Sequence, residues 1–191
     1  MFKKKPFFIV FEGVEGCGKS YQSQRLKKNL KKKGINSLLT REPGGTKSAE
    51  LIRTLILKDY FNTKTEEKFN KYTDTLLYLA ARNEHVTNII KPALNEKKIV
   101  ICDRFTDSTL AYQVYGKKVN KSFIDHIHKF IIKGIKPNIT FILKVSSKSS
   151  KLRLKKRKIK NRYDKFSQSF YTRAQKSFLK IAKNKKNYFV L

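Results

Sequence analysis

The sequence predicts an α/β protein in which helices cover both faces of a mainly parallel, five-stranded sheet, giving three layers. Short runs rich in β-branched and aromatic residues alternate with helical stretches, which is the pattern of βαβ units. The length of 191 residues suits one domain, and a hydrophobic content of 39% is enough for a sizeable core. Since no repeat or linker interrupts the pattern, we expect a single domain over residues 1–191.

The strands are predicted from the β-branched and aromatic runs, and the helices from apolar residues at helical spacing. The predicted strands are residues 7–11, 37–40, 99–102, 139–145 and 188–191. The predicted helices are residues 19–33, 48–57, 73–94, 122–133 and 164–183. Every connection between consecutive strands therefore contains a helix, as a parallel sheet requires.

Residues 146–162 stand apart from this pattern. The segment opens with Ser-Ser-Lys-Ser-Ser and continues as a run of Lys and Arg with few interruptions. Such a composition is typical of a mobile, cationic surface segment and equally of a solvated charged helix. Composition leaves both alternatives open.

The formal net charge of +31 would suit nucleic acid or an anionic membrane surface, because Lys and Arg neutralise phosphate. The lysines, however, are spread over nearly every predicted helix instead of forming one stripe, and we find no RNA- or DNA-binding signature. A solvated Lys-rich surface is therefore the favoured interpretation, and nucleic acid is not an expected partner. The same field would help to capture anionic nucleotides.

The cysteines and the N-terminal segment indicate the cellular compartment in which the protein is expected. Cys17 and Cys102 are the only cysteines, and neither position suggests a disulfide framework, which fits a reducing cytoplasm. The first apolar stretch ends at Phe11 and is too short for a signal peptide or a membrane span. We expect a cytoplasmic protein that has no membrane partner.

A glycine-rich loop carries the strongest functional signal. Residues 13–20 match the pattern G-x-x-x-x-G-K-[ST] between a predicted strand and a predicted helix, the context that this motif requires. In such a P-loop, backbone N–H groups cradle phosphates, Lys19 reaches the β- and γ-phosphates of ATP, and Ser20 ligates Mg²⁺. The sequence thus predicts a P-loop NTPase-type fold. The predicted ATP site is Gly13, Val14, Glu15, Gly16, Cys17, Gly18, Lys19 and Ser20.

A second metal residue is predicted at the end of the third strand. Asp103 follows its apolar run as a Walker B carboxylate follows its strand, and would hold the Mg²⁺ shell through water. The P-loop and this carboxylate do not name the phosphate acceptor, because many enzyme classes share them.

Three further segments, read together with the P-loop, resemble the thymidylate kinases. They are Thr-Arg-Glu-Pro-Gly-Gly-Thr at residues 40–46, Leu-Tyr-Leu-Ala-Ala-Arg at residues 77–82, and Asp-Arg-Phe at residues 103–105 continuing to Ala-Tyr-Gln at residues 111–113. The resemblance runs from about residue 8 to residue 179. It implies an enzyme that transfers the γ-phosphate of ATP to dTMP, giving dTDP and ADP in dTTP biosynthesis.

The resemblance also implies where dTMP binds. Tyr78 would offer an aromatic face to thymine, and Arg82 would donate to thymine O4. Thr109 and Tyr112 would contact the base and crowd C2′ of the sugar, which would select deoxyribose. The implied dTMP site is Glu15, Arg41, Glu42, Arg53, Tyr78, Arg82, Arg104, Thr109, Tyr112 and Gln113.

Cations are expected to carry the catalysis. Thymidylate kinases place a catalytic arginine either in the P-loop or in a lid, and positions 15–17 of this P-loop contain none. The resemblance therefore implies an enzyme of the lid-arginine type whose lid is residues 146–162. Arg157 is the first candidate and Arg153 the second, while Arg104 would face the acceptor phosphate. The predicted catalytic set is Lys19, Arg104, Arg157 and Arg153.

The sequence departs from the family pattern in three places. Val114 and Tyr115 stand where the family usually has a glycine, and Lys158 falls in a lid region that often contains glycine. Family members also usually continue beyond the last strand into a terminal helix. From these departures we expect altered loop geometry and a missing C-terminal helix.

Two alternative functions stay open. Another P-loop nucleoside-monophosphate or deoxynucleoside kinase would share the phosphate loop, and a basic P-loop protein that binds nucleic acid would account for the charge. The Glu-Pro-Gly-Gly and Tyr-x-x-x-Arg elements favour dTMP. The resemblance also implies a homodimer packed through helices.

Overall fold

The structure, a computed structural model, describes residues 5–58, 69–156, 163 and 166–191. Five strands form one parallel sheet in the order β2-β3-β1-β4-β5. This arrangement confirms the predicted α/β fold. The strands are β1 (Phe7–Glu12), β2 (Ser37–Arg41), β3 (Ile99–Asp103), β4 (Ile139–Ile142) and β5 (Tyr188–Val190).

Helices occupy the connections between the strands. Within the described parts of the chain, no helix is both long enough and apolar enough to cross a membrane. Among the described residues, Val86–Ile90 and Leu110–Gly116 are π-helical. The α-helices are α1 (Lys19–Lys32), α2 (Lys47–Leu57), α3 (Lys71–His85), α4 (Lys91–Asn95), α5 (Thr106–Thr109), α6 (Lys121–Ile132), α7 (Ser147–Lys155) and α8 (Gln168–Ala182).

The central strand β1 shows why the fold has three layers. Successive side chains of a strand point to opposite faces of its sheet. Phe8 and Val10 belong to an apolar cluster on one face, where the rings of Phe8 and Phe105 meet edge to face with centroids 5.1 Å apart. Ile9 and Phe11 belong to a second cluster that includes side chains of α8. Both faces of the sheet are thus covered.

The register of the strands fixes the place of the site. Phe11 of β1 and Arg41 of β2 are both paired with Asp103 of β3. In a parallel sheet all carboxyl ends lie at one edge, and ligands bind outside that edge. The loops after β1, β2 and β3 therefore meet there. The loop after β2 contains a cis peptide bond between Glu42 and Pro43.

The helix predicted over residues 73–94 is divided. It ends as α3 at His85, passes through the π-helical turn Val86–Ile90, and continues as α4. Pro92 stands in the first turn of α4, and because it lacks a backbone N–H it cannot donate the regular helical hydrogen bond. The wider π turn accommodates this interruption while the chain stays helical.

The sequence patterns do not predict the helical stretch from Thr106 to Gly116. Its first turn, α5, contains Asp, Ser and Thr, whose side chains compete with the helix for backbone hydrogen bonds. Burial outweighs this weak propensity, since Ala111, Tyr112 and Gln113 are all buried. The stretch matters because it carries several of the predicted dTMP residues.

The segment of residues 146–162 begins as a helix. Ser146 caps α7 by accepting from the backbone N–H of Ser149 at 3.2 Å. Of the two alternatives, a mobile segment and a charged helix, the charged helix is confirmed for Ser147–Lys155. The preceding strand, β4, ends at Ile142 instead of the predicted residue 145. Residues 157–162 lie outside the described residues.

Candidate active site

The P-loop of residues 13–20 joins β1 to α1 at the carboxyl edge of the sheet. Gly13 has a φ of 137°, and a Cβ at this position would lie 2.6 Å from the carbonyl oxygen of Leu143. Gly18 has a φ of 103° and is the N-cap residue of α1. The loop can therefore curl against the end of β4 and lead directly into a helix N-terminus, which favours bound phosphate.

Lys19 lies at the start of α1 and is only 7% exposed. Its Nζ donates to the carbonyl oxygen of Val14 at 2.9 Å and contacts Sγ of Cys17 at 3.6 Å. Both contacts are made within the P-loop itself. An anion that enters the loop would meet a positive charge already in place.

Ser20 and Asp103 come together from α1 and the end of β3. The Ser20 hydroxyl donates to Oδ2 of Asp103 at 2.5 Å. Oδ1 of Asp103 is buried and has no hydrogen-bond partner among the described residues. Because a buried carboxylate oxygen is costly without a partner, this atom is suited to a ligand, and such oxygens are what Mg²⁺ prefers. Both residues fit a Mg²⁺ ion held together with a nucleotide.

One cavity, of about 380 Å³, opens beside the P-loop and joins the predicted donor and acceptor residues. Gly13, Val14 and Cys17 of the P-loop are not part of its lining. The P-loop residues that line it are Glu15, Gly16, Gly18, Lys19 and Ser20. The predicted acceptor residues that line it are Glu15, Arg41, Glu42, Arg53, Tyr78, Arg82, Arg104, Thr109, Tyr112 and Gln113, which is the whole predicted set.

Arg104 stands between the P-loop and the acceptor residues. Its φ of 74° is uncommon outside glycine, and its backbone N–H donates to the carbonyl oxygen of Phe11 at 2.9 Å. The guanidinium donates to the carbonyl oxygen of Gly13 at 2.9 Å and to Oε1 of Glu15 at 2.8 Å. It also lies over the ring of Tyr112, 5.2 Å from the centroid. A rare backbone conformation held by so many contacts is typical of a functional position.

Glu15 keeps a negative charge beside two cations. Its Oε2 accepts from the hydroxyl of Tyr112 at 2.6 Å, and its Oε1 pairs with Arg104. Burial alone would raise the pKa of Glu15, but the charges of Arg104 and Lys19 and the Tyr112 hydrogen bond bring that pKa below its usual value. Glu15 is therefore ionised at neutral pH and able to accept a hydrogen bond from a ligand hydroxyl.

Arg82 is 3% exposed and is surrounded by hydrogen-bond acceptors. Its Nε and Nη2 both lie 2.7 Å from Oε2 of Glu42. Its Nη1 lies 2.7 Å from Oγ1 of Thr109 and 2.7 Å from Nε2 of His128, and Nη2 donates to the carbonyl oxygen of Phe105 at 2.9 Å. All five N–H groups of a guanidinium thus have an acceptor. A base oxygen would have to share or replace one of them.

Glu42 is buried at the centre of this network. Its Oε1 lies 3.1 Å from Nδ1 of His85, whose Nε2 lies 2.6 Å from Oγ1 of Thr40. Burial would raise the pKa of Glu42, but the charge of Arg82 and the hydrogen bond with His85 lower that pKa below its usual value. The ionised carboxylate therefore anchors Arg82 to the loop after β2.

Glu50, which the sequence analysis does not single out, pairs with Arg41 and Arg53, two of the four arginines of the acceptor side. Its Oε2 lies 3.1 Å from Nη2 of Arg41 and 4.0 Å from Nε of Arg53. Arg53 also donates to the carbonyl oxygen of Pro43 at 2.6 Å. The i,i+3 spacing of Glu50 and Arg53 on α2 is a signal that could have indicated this pair from the sequence.

Aromatic rings form one wall of the cavity. Tyr163, to which the sequence analysis assigns no role, lines the cavity with its ring centroid 6.3 Å from that of Tyr78 and 5.8 Å from that of Tyr112. Gln113 lies nearby and is 2% exposed, and its Nε2 has no hydrogen-bond partner among the described residues. The wall therefore combines faces for stacking with a donor that a ligand can use.

Glu12, also missed by the sequence analysis, lies fully buried beneath the P-loop. Its Oε1 accepts from the backbone N–H groups of Phe105 at 2.8 Å and Ser108 at 3.1 Å, and its Oε2 accepts from the Ser108 hydroxyl at 2.6 Å. Burial and the charge of Asp107 raise the pKa of Glu12 to about 8. This carboxyl group ties the end of β1 to the loop after β3.

Of the lid arginines, the structure describes Arg153. Its Nη1 donates to the carbonyl oxygen of Gly16 in the P-loop at 3.0 Å, and its side chain lines the cavity. Arg157, the first candidate, lies outside the described residues.

Comparisons with known proteins give one consistent result. The thymidylate kinase family model matches residues 11–191. A thymidylate kinase of Geotalea daltonii is 39% identical over 191 residues, covering 96% of this chain and 87% of that protein. One from a Wolbachia of Brugia malayi is 43% identical over 179 residues, covering 93% and 82%. A crystal structure of the Ehrlichia chaffeensis thymidylate kinase superposes with a TM-score of 0.76 at 37% identity, covering 98% of this chain and 87% of that one.

Proposed function

The chain belongs to the thymidylate kinase family and is an ATP-dependent kinase of dTMP, and we propose that it performs this reaction in the cavity described above. The observation that carries the proposal is the common space in which the P-loop faces every residue expected to bind dTMP. The reported relatives favour neither of the two alternatives, another P-loop kinase and a nucleic-acid-binding protein.

On the donor side, the β- and γ-phosphates of ATP lie in the P-loop against its backbone N–H groups and Nζ of Lys19. Ser20 and Asp103 would hold Mg²⁺, Asp103 through water, and the unpartnered Oδ1 of Asp103 supports this role. A bound ion would supply positive charge that neutralises the phosphates and helps to orient the γ-phosphate. Lys19 adds a fixed positive charge at the bond that breaks.

On the acceptor side, the dTMP phosphate lies against Arg53 and Arg104. This phosphate is largely dianionic at neutral pH and is itself the nucleophile, so no general base is required. Its oxygen forms a bond to the γ-phosphorus while the bond to the β-phosphate oxygen breaks and ADP leaves. Tyr78 stacks on thymine, Gln113 offers its unused N–H to the base, and Glu15 accepts from the 3′-hydroxyl.

The lid completes the site within a single domain of residues 1–191. As the proposed lid, residues 146–162, of which 157–162 lie outside the described residues, would close over the phosphates, exclude water and bring a guanidinium to the moving phosphoryl group. The contact of Arg153 with the P-loop carbonyl of Gly16 supports this arrangement, because it shows that α7 already reaches the donor site.

A panel of acceptors tests the proposed function. ADP formation should be fastest with dTMP, slower with dUMP, and slow with UMP because the Tyr112 ring crowds C2′. It should be absent with thymidine, which lacks the attacking phosphate, and should stop when Mg²⁺ is chelated. A preference for UMP or dCMP, or turnover of thymidine, would contradict the acceptor assignment.

We also propose that the protein is a homodimer whose interface includes α2 and α3. Large apolar side chains are exposed on both helices, Leu51 and Leu55 on α2 and Tyr72 and Leu76 on α3. Each pair is spaced i,i+4 and so lies on one helix face, and the two helices pack against each other. An exposed apolar face of this kind suits the interface of a two-fold dimer.

The substitution Leu51→Glu should convert the dimer to a monomer. Leu51 is 71% exposed, so a charge there should disturb the interface and leave the fold intact. Size-exclusion chromatography with light scattering measures the mass. Leu152→Glu on α7, where Leu152 is 52% exposed, is the matched control and should stay dimeric. A dimeric Leu51→Glu variant would rule out this interface.

We propose a cytoplasmic location for the enzyme, where its nucleotide substrates occur. The two cysteines support a reducing compartment, since both are free and buried in the structure.

A further inference from the structure

His128 lies on α6, outside every segment that the family resemblance singled out, yet it reaches the acceptor side of the site. Its Nε2 lies 2.7 Å from Nη1 of Arg82. Arg82 and Thr109 line the cavity, whereas His128 does not. The imidazole therefore supports Arg82 from behind, on the side away from the ligand.

The other contacts of Arg82 show what the contact with His128 adds. Phe105 lies under the guanidinium, 5.5 Å from ring centroid to Cζ, and Glu42 fixes the edge formed by Nε and Nη2. Nη1 is held only by Thr109 and His128 among the described residues. Since Thr109 faces the cavity, it is the partner that a bound base can share, and His128 is the partner that stays.

The chemistry of the contact fixes the state of the imidazole. A guanidinium keeps its protons, so Nε2 of His128 must accept and the ring proton must be on Nδ1. Burial and the charge of Arg82 lower the pKa of His128 to about 3, so the ring stays neutral under assay conditions. The acceptor is therefore permanently available to Arg82.

We propose that His128 is a positioning residue for base recognition, which binds one N–H of Arg82 Nη1 and thereby aims the other toward the base of the acceptor nucleotide. This inference rests on the proposed role of Arg82 in the dTMP site. It predicts that His128 affects mainly the acceptor nucleotide, because its contact in the described part of the chain is with Arg82 of the acceptor side.

The substitution His128→Leu should raise the KM for dTMP roughly tenfold, since a buried N–H loses its acceptor and Arg82 loses its aim. The KM for ATP and kcat should stay within about twofold. His128→Gln should recover most of the loss, because the side-chain oxygen of glutamine can lie close to the position of Nε2. Steady-state kinetics with each nucleotide varied in turn measures all three quantities, and thermal unfolding checks the fold.

His126→Leu is the matched control. His126 lies on the same helix but is exposed, with its ring centroid 5.1 Å from that of Phe130, and it should tolerate the change without any kinetic effect. The substitution Arg82→Ala and the double variant Arg82→Ala/His128→Leu complete the design. If His128 acts through Arg82, the double variant should have the same KM for dTMP as Arg82→Ala.

Each outcome has a distinct meaning. If Arg82→Ala leaves the KM for dTMP unchanged, the proposed role of Arg82 fails, and the role of His128 falls with it. If Arg82→Ala raises that KM but His128→Leu does not, the base site stands and the inference about His128 is wrong. It is equally wrong if His128→Gln is no better than His128→Leu, or if both KM values and kcat change together.

Discussion

Lys19→Ala should abolish measurable phosphoryl transfer. We expect kcat to fall about 10²- to 10³-fold or more, because the substitution removes a fixed charge that stabilises the transition state. A P-loop holds phosphates mainly with backbone groups, and in the proposed mechanism Lys19 is the side chain that would carry charge to the β- and γ-phosphates. Its contacts in the structure are with Val14 and Cys17 of its own loop, so the fold should survive. Continuous measurement of ADP formation, with circular dichroism on the same sample, tests both statements.

The matched control is Lys28→Ala. Lys28 lies on the same helix, α1, but is exposed, so its replacement should leave kcat unchanged. Near-normal turnover of Lys19→Ala, with the fold intact, would remove the basis for the P-loop assignment.

Removal of the lid arginine should have a comparably large effect. If Arg157, or failing that Arg153, touches the γ-phosphate only when the lid closes, its replacement by Ala should lower kcat on the order of 10³-fold. Affinity for either nucleotide should change little, because the contact forms in the transition state. Arg153 already donates to the carbonyl oxygen of Gly16 at 3.0 Å, so α7 lies within reach of the P-loop. Steady-state kinetics and equilibrium binding of each nucleotide separate the two quantities.

Two comparisons sharpen this experiment. Lys at the effective position should rescue poorly, since a lysine has the charge but not the planar fork that bonds two phosphate oxygens. Lys155→Ala on α7 is the control for loss of a nearby cation and should have a small effect. If Ala at positions 153, 157 and 162, singly and together, keeps kcat within a few-fold of the unmodified enzyme, the lid excludes water but supplies no catalytic arginine. Arg104 and Arg41 would then be the cations to examine.

The sequence predicts much of the site because its motifs stand at strand ends. The P-loop follows β1, Arg41 ends β2, and Asp103 ends β3. A parallel sheet brings those ends to one edge whatever the sequence distance between them. Recognising the strands, and that they run parallel, is therefore sufficient to predict that these residues lie together.

The rest of the site depends on tertiary packing that no local pattern records. His128 reaches the acceptor side from α6, and Tyr163 reaches it from the chain that follows α7. Glu12 acts from the last position of β1. The helical stretch from Thr106 to Gly116 forms against its own propensities, because burial decides its conformation. The roles of these residues depend on which parts of the chain pack against each other in the folded protein.

The contacts that build the site also bear on when the protein acquires it. Ser20 and Asp103 are 83 positions apart in the chain, Glu15 and Arg104 are 89 apart, and Glu15 and Tyr112 are 97 apart. Closing loops of that length costs entropy before any contact compensates for it, so the site forms late in folding, with the pairing of β1 and β3. Any opening that separates these strands dissolves the site. A nucleotide bound across the site would therefore stabilise the fold against such opening.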